Sequence, residues 1–313
     1  MLKNIFTVFI LLVSYTSFGQ SFTTTWLTTN PGVSANNEIT IPTAPGFTYN
    51  YTVAWGDGST DTNITGDITH PYATPGAYTV TISGNFPSIY FNNAGDKEKI
   101  IEILEWGTIQ WQSMENAFYG CTNINFDAID SPDLSQVTSL KNMFMGCTAF
   151  NGIVNDWDVS NITDISGLFA EAEIFNRPLD TWNTAAITDM SYTFHRTRLF
   201  NEPLDNWNTA SVNTMEYMFS EASNFNQNIN NWDVSQVTTM FGTFRYTGAF
   251  DKPLNNWNLS NVTNTASMFQ GSSFNQDISN WVVSNVTTMS AMFREAKFNH
   301  PINNWDVAQV TDM

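Results

Sequence analysis

The chain has 313 residues with 11 basic against 29 acidic side chains, a formal charge of −18, yet only 13% of it is charged while 42% is apolar and 14% aromatic. That much apolar material excludes a disordered acidic tail, and the lack of a basic stripe excludes nucleic acid as a partner. The length suits two domains, or one small domain followed by a repeat array.

Residues 1–19 read as a secretory signal peptide. Lys3 gives the positive end, Ile5 to Val13 the apolar run, and Ser17 and Gly19 the small residues before a cut near Gln20. The apolar run is too short to cross a bilayer and no later stretch reaches the required length, so no membrane span is expected. The mature chain is therefore expected to be secreted or held at the cell surface.

Residues 20–95 are rich in Thr, Tyr, Val and Gly, with alternating runs such as Tyr78-Thr79-Val80-Thr81-Ile82. Turn signals interrupt them at Asn30-Pro31-Gly32, Ala44-Pro45-Gly46, Gly56-Asp57-Gly58 and Pro75-Gly76, a spacing that predicts a small all-β sandwich. Asp57 to Asn63 offers oxygen ligands at alternating positions, faintly like a calcium loop. It lacks the spaced glycine and terminal Glu of an EF-hand, and a hairpin turn at Asp57-Gly58 is the preferred reading. The polar stretch 92–96 is the expected boundary.

Residues 96–313 are an internal repeat. Its structural core is expected to be a column of tryptophans, Trp157, Trp182, Trp207, Trp232, Trp257, Trp281 and Trp305, each closing a Phe-Asn-x-x-Leu/Ile-x-x-Trp segment, with spacings of 25 falling to 24. The Phe of an approximate Met-x-x-Met-Phe motif keeps step at 118, 144, 169, 194, 219, 244, 269 and 293. Such a unit cannot bury its own apolar residues, and stacked copies bury them against one another. The Leu/Ile-to-Val stretch predicts a short extended rung, and the Met-x-x-Met-Phe-x-x-Ala spacing predicts one or two helical turns on the opposite side. The Asn after each Phe (Asn151, Asn176, Asn201, Asn226, Asn275, Asn299, with Asp251 once) forms a ladder, read as turn scaffolding in preference to a glycan-binding row.

Catalysis finds little support. His70, His195 and His300 lie in different modules or columns without metal-ligand spacing, and no nucleophile elbow, phosphate loop or dinucleotide fingerprint occurs. No cofactor is expected. Cys121 and Cys147 share a repeat column whose other members are small, so they suit packing, while neighbouring rungs and export keep a disulfide open. Solenoids diversify in columns that vary between copies. There, His195, Arg196, Arg198, Arg245 and Tyr246 form a candidate ligand patch for an anionic or glycan partner. The alternative is a solvated surface whose arginines pair with Glu171 and Glu221.

Two family resemblances attach to these residues. Ala54-Trp55-Gly56-Asp57-Gly58-Ser59, His70-Pro71-Tyr72 and Pro75-Gly76-Ala77-Tyr78-Thr79-Val80 resemble a PKD-type domain, although the Phe between Trp and Gly is missing. This implies an immunoglobulin-like sandwich that acts as a spacer or interaction module. The entry segment 103–111, Met114-Glu115-Asn116-Ala117-Phe118-Tyr119-Gly120-Cys121 and the repeats that follow resemble BspA-like leucine-rich-repeat surface proteins, in the 25-residue variant also seen in mycoplasma lipoproteins. Pro132 departs from it by standing where Trp belongs. The resemblance implies surface display and binding to proteins, cells or glycans.

The expected fold is thus mixed β and α/β: a small immunoglobulin-like β-sandwich followed by a leucine-rich-repeat solenoid of about eight rungs. The expected function is binding or adhesion to an extracellular protein or glycan. A targeting arm of a larger secreted enzyme and a structural spacer are the alternatives. The stop at Val310-Thr311-Asp312-Met313, inside a repeat, reads as a truncated product or a fragment.

Overall fold

The computed structural model describes residues 21–126 and 128–313, and the signal-peptide reading of residues 1–19 lies outside them. The first strand, β1 (Ser21–Leu27), alternates strictly, so that Phe22, Thr24 and Trp26 are buried. Around it form β2 (Glu38–Ile41), β3 (Asn50–Ala54), β4 (Thr60–Ile64), β5 (Ile68–Pro71), β6 (Ala77–Asn85), β7 (Ile100–Glu105) and β8 (Asn125–Phe126). Six of them make one sheet in the order β4-β3-β6-β1-β7-β8, while β2 and β5 pair as a separate two-stranded sheet. β1 lies antiparallel between β6 and β7. This corrects the expectation of a self-contained immunoglobulin-like sandwich, because the larger sheet continues through β7, beyond residue 95, into the parallel β7–β8 pair.

Beyond β8 the chain winds in coils of 24–25 residues joined by one parallel bridge each, from Ser139↔Asp164 to Thr288↔Asp312. Phe rings stack from coil to coil, 5.7 Å apart between Phe118 and Phe144 and 5.5 Å between Phe194 and Phe219. All seven repeat tryptophans, Trp157, Trp182, Trp207, Trp232, Trp257, Trp281 and Trp305, are buried beside them. From Trp182 onward their rings run nearly parallel, with 6.2 Å between Trp182 and Trp207 and 6.3 Å between Trp207 and Trp232. Trp157 differs in its surroundings: it meets the edge of Trp106 at 5.5 Å and tilts against Phe144 at 6.1 Å, so the column joins the aromatic core that follows β7.

Most of these indoles also cross to the coil before their own. Trp182 Nε1 donates to the Val154 carbonyl at 2.9 Å, Trp232 to Leu204 at 3.0 Å, and Trp207 and Trp257 repeat the bond to Leu179 and Ile229. The Trp column therefore fills the interior and satisfies a carbonyl in the same step.

The described residues contain no helix, which overturns the expected helical turns and with them the mixed α/β, leucine-rich-repeat solenoid reading. The tryptophans thus pack the interior of coils that contain no helix among the described residues. Residues 190–197 give the reason. Thr193, His195 and Thr197 donate their N–H groups three residues back, to Met190, Tyr192 and Phe194. The intervening Tyr192, Phe194 and Arg196 donate instead to Glu216, Met218 and Ser220 of the next coil, at 2.8–2.9 Å. Alternate donors leave the coil, so no i to i−4 ladder can form. The geometry requires left-handed backbone at two positions per coil, four residues apart, such as Tyr192 (φ 58°) and Arg196 (φ 56°). Left-handed residues are disfavoured singly, and here the bonds to the next coil hold them. Gly242 and Gly271 take such positions because the Tyr217 and Tyr246 rings occupy the space that a Cβ would need.

The Asn column is a backbone clamp. Asn201 N–H donates to Asn176 Oδ1 at 2.9 Å, Asn226 to Asn201, and Asp251 to Asn226. Only an acceptor oxygen is needed, and Asp251 serves as well, taking the N–H of Asn275 at 2.8 Å. The residue after most of the Trp side chains caps the next turn in the same economical way: Asp158, Asn208 and Asp233 accept from the N–H two residues on, and Val282 after Trp281 is the exception. Both columns are consumed by the scaffold.

Candidate functional site

The interior columns repeat one chemistry, whereas two columns at the edge of the coils do not, although Ala170, Ser220 and Gln270 of the first are buried. One runs Tyr119, Met145, Ala170, His195, Ser220, Arg245, Gln270, Arg294, and the adjacent left-handed column runs Gly120, Gly146, Glu171, Arg196, Glu221, Tyr246, Gly271, Glu295. The backbone donors at these left-handed positions are already spent on the next coil, so their side chains vary without cost to the stack.

Four of the five patch residues lie on this edge, with Arg198 just beyond it. Arg196 is clamped between coils: Nη1 donates to Glu171 Oε1 at 3.0 Å and Nε to Glu221 Oε2 at 3.1 Å. Arg198 pairs with Glu173 at 3.7 Å. Arg245 donates to Gln270 Oε1 at 3.2 Å and lies over the Tyr246 ring, 4.6 Å from its centroid. His195 is half-buried and donates from Nδ1 to the Ser220 carbonyl at 3.1 Å. Burial first, then the neighbouring Arg196 charge, push its pKa down, so it sits neutral as a wall residue. With Glu171, Glu173 and Glu221 among its guanidinium groups, the patch is a mixed-charge and aromatic edge without a net positive field.

Sequence reasoning missed a second cluster beside it. Tyr119, Lys141, Asn142, Met145, Ser166, Gly167, Asp189, Ser191 and Tyr192 enclose a groove of about 390 Å³ across four coils. Its one legible signal is the column Asn116, Asn142, Gly167, Tyr192, where a glycine stands between amide and aromatic residues. A second groove, of about 520 Å³, is lined by Met289, Met292, Phe293 and Trp305, all members of the core columns.

The two cysteines are free and fully buried, so the disulfide is not formed in this structure. Cys147 donates its thiol hydrogen to the Phe118 carbonyl at 3.1 Å, the same bond that Thr197 and Thr247 make to Phe169 and Phe219. Burial pushes both thiols well up, and these are packing residues without nucleophilic character.

In the first module Asp57, Ser59 and His70 meet without forming a catalytic relay. His70 Nε2 donates to Asp57 Oδ2 at 2.9 Å, and Ser59 Oγ donates to Asp57 Oδ1 at 2.6 Å. Serine and aspartate thus share one end of the imidazole, whereas a triad needs the base between them. The His70 ring stacks on Trp55 at 4.6 Å, and Ser59 N–H closes an Asp turn at 2.9 Å, so the hairpin reading describes this loop. No group of three or more His, Cys, Asp or Glu among the described residues is placed to hold a metal. No helix there is long and apolar enough to cross a membrane.

This turn chemistry has a pH consequence. The Ser59 hydroxyl, then His70, hold the Asp57 carboxyl well below the usual carboxylate range, and hydrogen bonds from the serine two residues on lower those of Asp133, Asp158, Asp233 and Asp277. A depressed native pKa contributes stability that is complete above the unfolded value and lost as pH falls through the native one. Tm is therefore expected to hold from neutral pH to about 4 and to fall progressively below it. Thermal circular dichroism across that window checks this, and Asp57→Asn should flatten part of the fall. A Tm indifferent to acid would contradict it.

The model of the family described as "Mycoplasma protein of unknown function, DUF285" matches residues 112–232, 179–273 and 213–313, which together run over the whole coil stack. No curated protein and no solved structure matches the chain.

Proposed function

We propose that this chain, which belongs to the DUF285 family, is an exported, non-catalytic recognition protein that binds an extracellular protein or glycan along the edge of its coils. One observation carries the reading: side-chain chemistry varies at the exposed positions of the edge columns, such as Arg196, Tyr246 and Glu295, while the interior columns repeat. A spacer has no use for such variation, and an array of stacked repeats diversifies where its core is unaffected. The edge also holds aromatic and guanidinium groups, with Tyr246 exposed beneath Arg245 and Tyr192 tilted against Tyr217 at 5.0 Å. Aromatic and Arg side chains are the residues that anchor interfaces. The signal-like leader and the resemblance to BspA-like surface proteins support export and display, and the sheet module then carries the coils.

The test is binding of the purified chain to a glycan array and to a panel of extracellular glycoproteins. At least one partner is expected to be captured. The double variant Arg245→Ala/Tyr246→Ala should weaken it by about tenfold or more, the scale of one or two interface anchors, with Tm unchanged. Absence of any binding, or binding indifferent to the edge, would leave a spacer as the better description.

A further inference from the structure

The groove over Gly167 has the composition of a small-molecule site. Its volume, about 390 Å³, lies within the range of ligand clefts. Tyr119 stands at one end and Tyr192 at the other, three coils away, with each coil step near 6 Å by the Phe144–Phe169 and Phe169–Phe194 rings. Tyr192 is held in place by Tyr217 at 5.0 Å and by the edge of His195 at 5.7 Å. Gly167 is left-handed (φ 65°), and its missing Cβ makes room for Asn142 Oδ1, which lies against it along the groove. That oxygen belongs to an amide whose Nδ2 is fixed to Asn116 Oδ1 at 3.1 Å.

The polar groups around this groove are only partly used. Asp189 Oδ1 accepts from Ser191, and its Oδ2 has no hydrogen-bond partner among the described residues. Lys141 is exposed at the rim and makes no ion pair among them. Ser166 is only 6% exposed and lines the groove, yet its hydroxyl has no partner among the described residues.

We propose that this groove binds a short neutral oligosaccharide, an inference that rests on the recognition reading above and names its ligand class. Pyranose rings are polyhydroxylated at their edges and apolar on their C–H faces. The edges match Asp189, Asn142 and Lys141, a set holding both donors and acceptors. The faces match the two tyrosine rings. A fixed anion or cation fits less well, since Lys141 and Asp189 line the same space with opposite charges.

Titration calorimetry of the full chain tests this with hexasaccharides of β-1,4-glucose, β-1,3-glucose and α-1,6-mannose, and with a uronic acid hexamer as the charged control. At least one neutral hexamer is expected to bind more tightly than ~1 mM. Tyr192→Ala and Asp189→Asn should each weaken it by about tenfold with Tm unchanged, and Arg245→Ala/Tyr246→Ala should leave it intact. No neutral binding at that level, binding of the uronate alone, or binding that survives Tyr119→Ala and Tyr192→Ala overturns the proposal. Glycoprotein capture that depends on Arg245 and Tyr246 while every neutral hexamer fails would sink the groove and leave the recognition reading standing. Hexamer binding without edge-dependent capture would do the reverse.

Discussion

Trp232→Ala is expected to destabilise the chain by about 4–5 kcal/mol and to break the cooperativity of the stack. The indole is 3% exposed and packed between Trp207 and Trp257, at 6.3 and 6.5 Å, with Phe219 at 6.1 Å. Removing it leaves a cavity bounded by rings that cannot collapse without shifting two neighbouring coils, which places the loss at the upper part of the usual Trp→Ala range. It also strips the Leu204 carbonyl of its buried donor, a further penalty of about 1 kcal/mol or more. Stability in such an array is a sum of coil and interface terms, so a defect in the middle separates the two sides. Urea denaturation should show a lowered midpoint and a broadened or split transition. Trp232→Phe keeps one stacking ring and loses the bond to Leu204 and part of the indole's volume, so it should cost less than Trp232→Ala. Trp305→Ala should also cost less, because Trp305 stacks on Trp281 alone within its column and is 8% exposed. Equal losses at 232 and 305, or a sharp single transition in the Trp232 variant, would refute this account of the stack.

The same columns explain what was legible. Trp and Phe recur at fixed spacing because each coil must offer the same inward shape to its neighbours, and that requirement is written directly into the repeat. Trp157 and Trp182 look alike in the sequence, yet one packs against Trp106 and the other stacks within the column, a difference that only the join to the sheet creates. The helical reading of Met-x-x-Met-Phe-x-x-Ala failed for a definite reason. Apolar spacing reports which side chains point inward, and it is silent on where the N–H groups go. A turn with left-handed residues at 192 and 196 returns Met190, Phe194 and Thr197 to the interior at helix-like offsets. A signal against helix was present: glycine recurs in these two columns at 120, 146, 167, 242 and 271, and glycine is a poor helix former.

The continuation of the sheet across residue 95 was illegible, since β7 finds β1 about 75 residues away and only non-local pairing reveals it. The groove around Gly167 stayed hidden likewise, because its walls come from four separate coils. The arginines were visible as unusual residues, but their Glu partners lie 25 residues off on either side, a distance that means contact only once the coil period becomes a spatial one.

The second large effect lies where the sheet meets the coils. Lys99 and Asp96 are each 1% exposed, and their charges are satisfied almost entirely by one loop. Lys99 Nζ donates to the Ser34, Ala35 and Glu38 carbonyls at 3.1, 2.8 and 2.9 Å and contacts Ser34 Oγ at 2.7 Å. Asp96 accepts from the N–H groups of Val33, Ser34 and Thr40 at 2.7–3.0 Å and from the Ser34 hydroxyl. The two groups approach to 4.0 Å, close enough to offset each other's desolvation. Gly32 admits them both, since a Cβ there would collide with Asp96 Oδ1 and lie 2.7 Å from Lys99 Cε. Lys99→Met keeps the aliphatic stem and removes only the ammonium. It takes the donor from the Ser34 carbonyl, leaves the Ala35 and Glu38 carbonyls only the Glu38 N–H and the Ser34 hydroxyl, and leaves Asp96 without its counter-charge; the expected cost is about 3–5 kcal/mol. Asp96→Ala should cost about as much by orphaning the opposite set of groups. The double variant should fall short of the sum by about 1–3 kcal/mol, because each single change already strands the other partner. The damage should also spread along the chain, since the Lys99 carbonyl accepts the Leu27 N–H at 2.8 Å and β7 begins at the next residue. Hydrogen exchange at Leu27 and through β7 should therefore accelerate in Lys99→Met while the distant coils around Trp257 stay protected. A loss below about 1 kcal/mol, or full additivity in the double variant, would mean that the pair is held by the loop without helping to hold it.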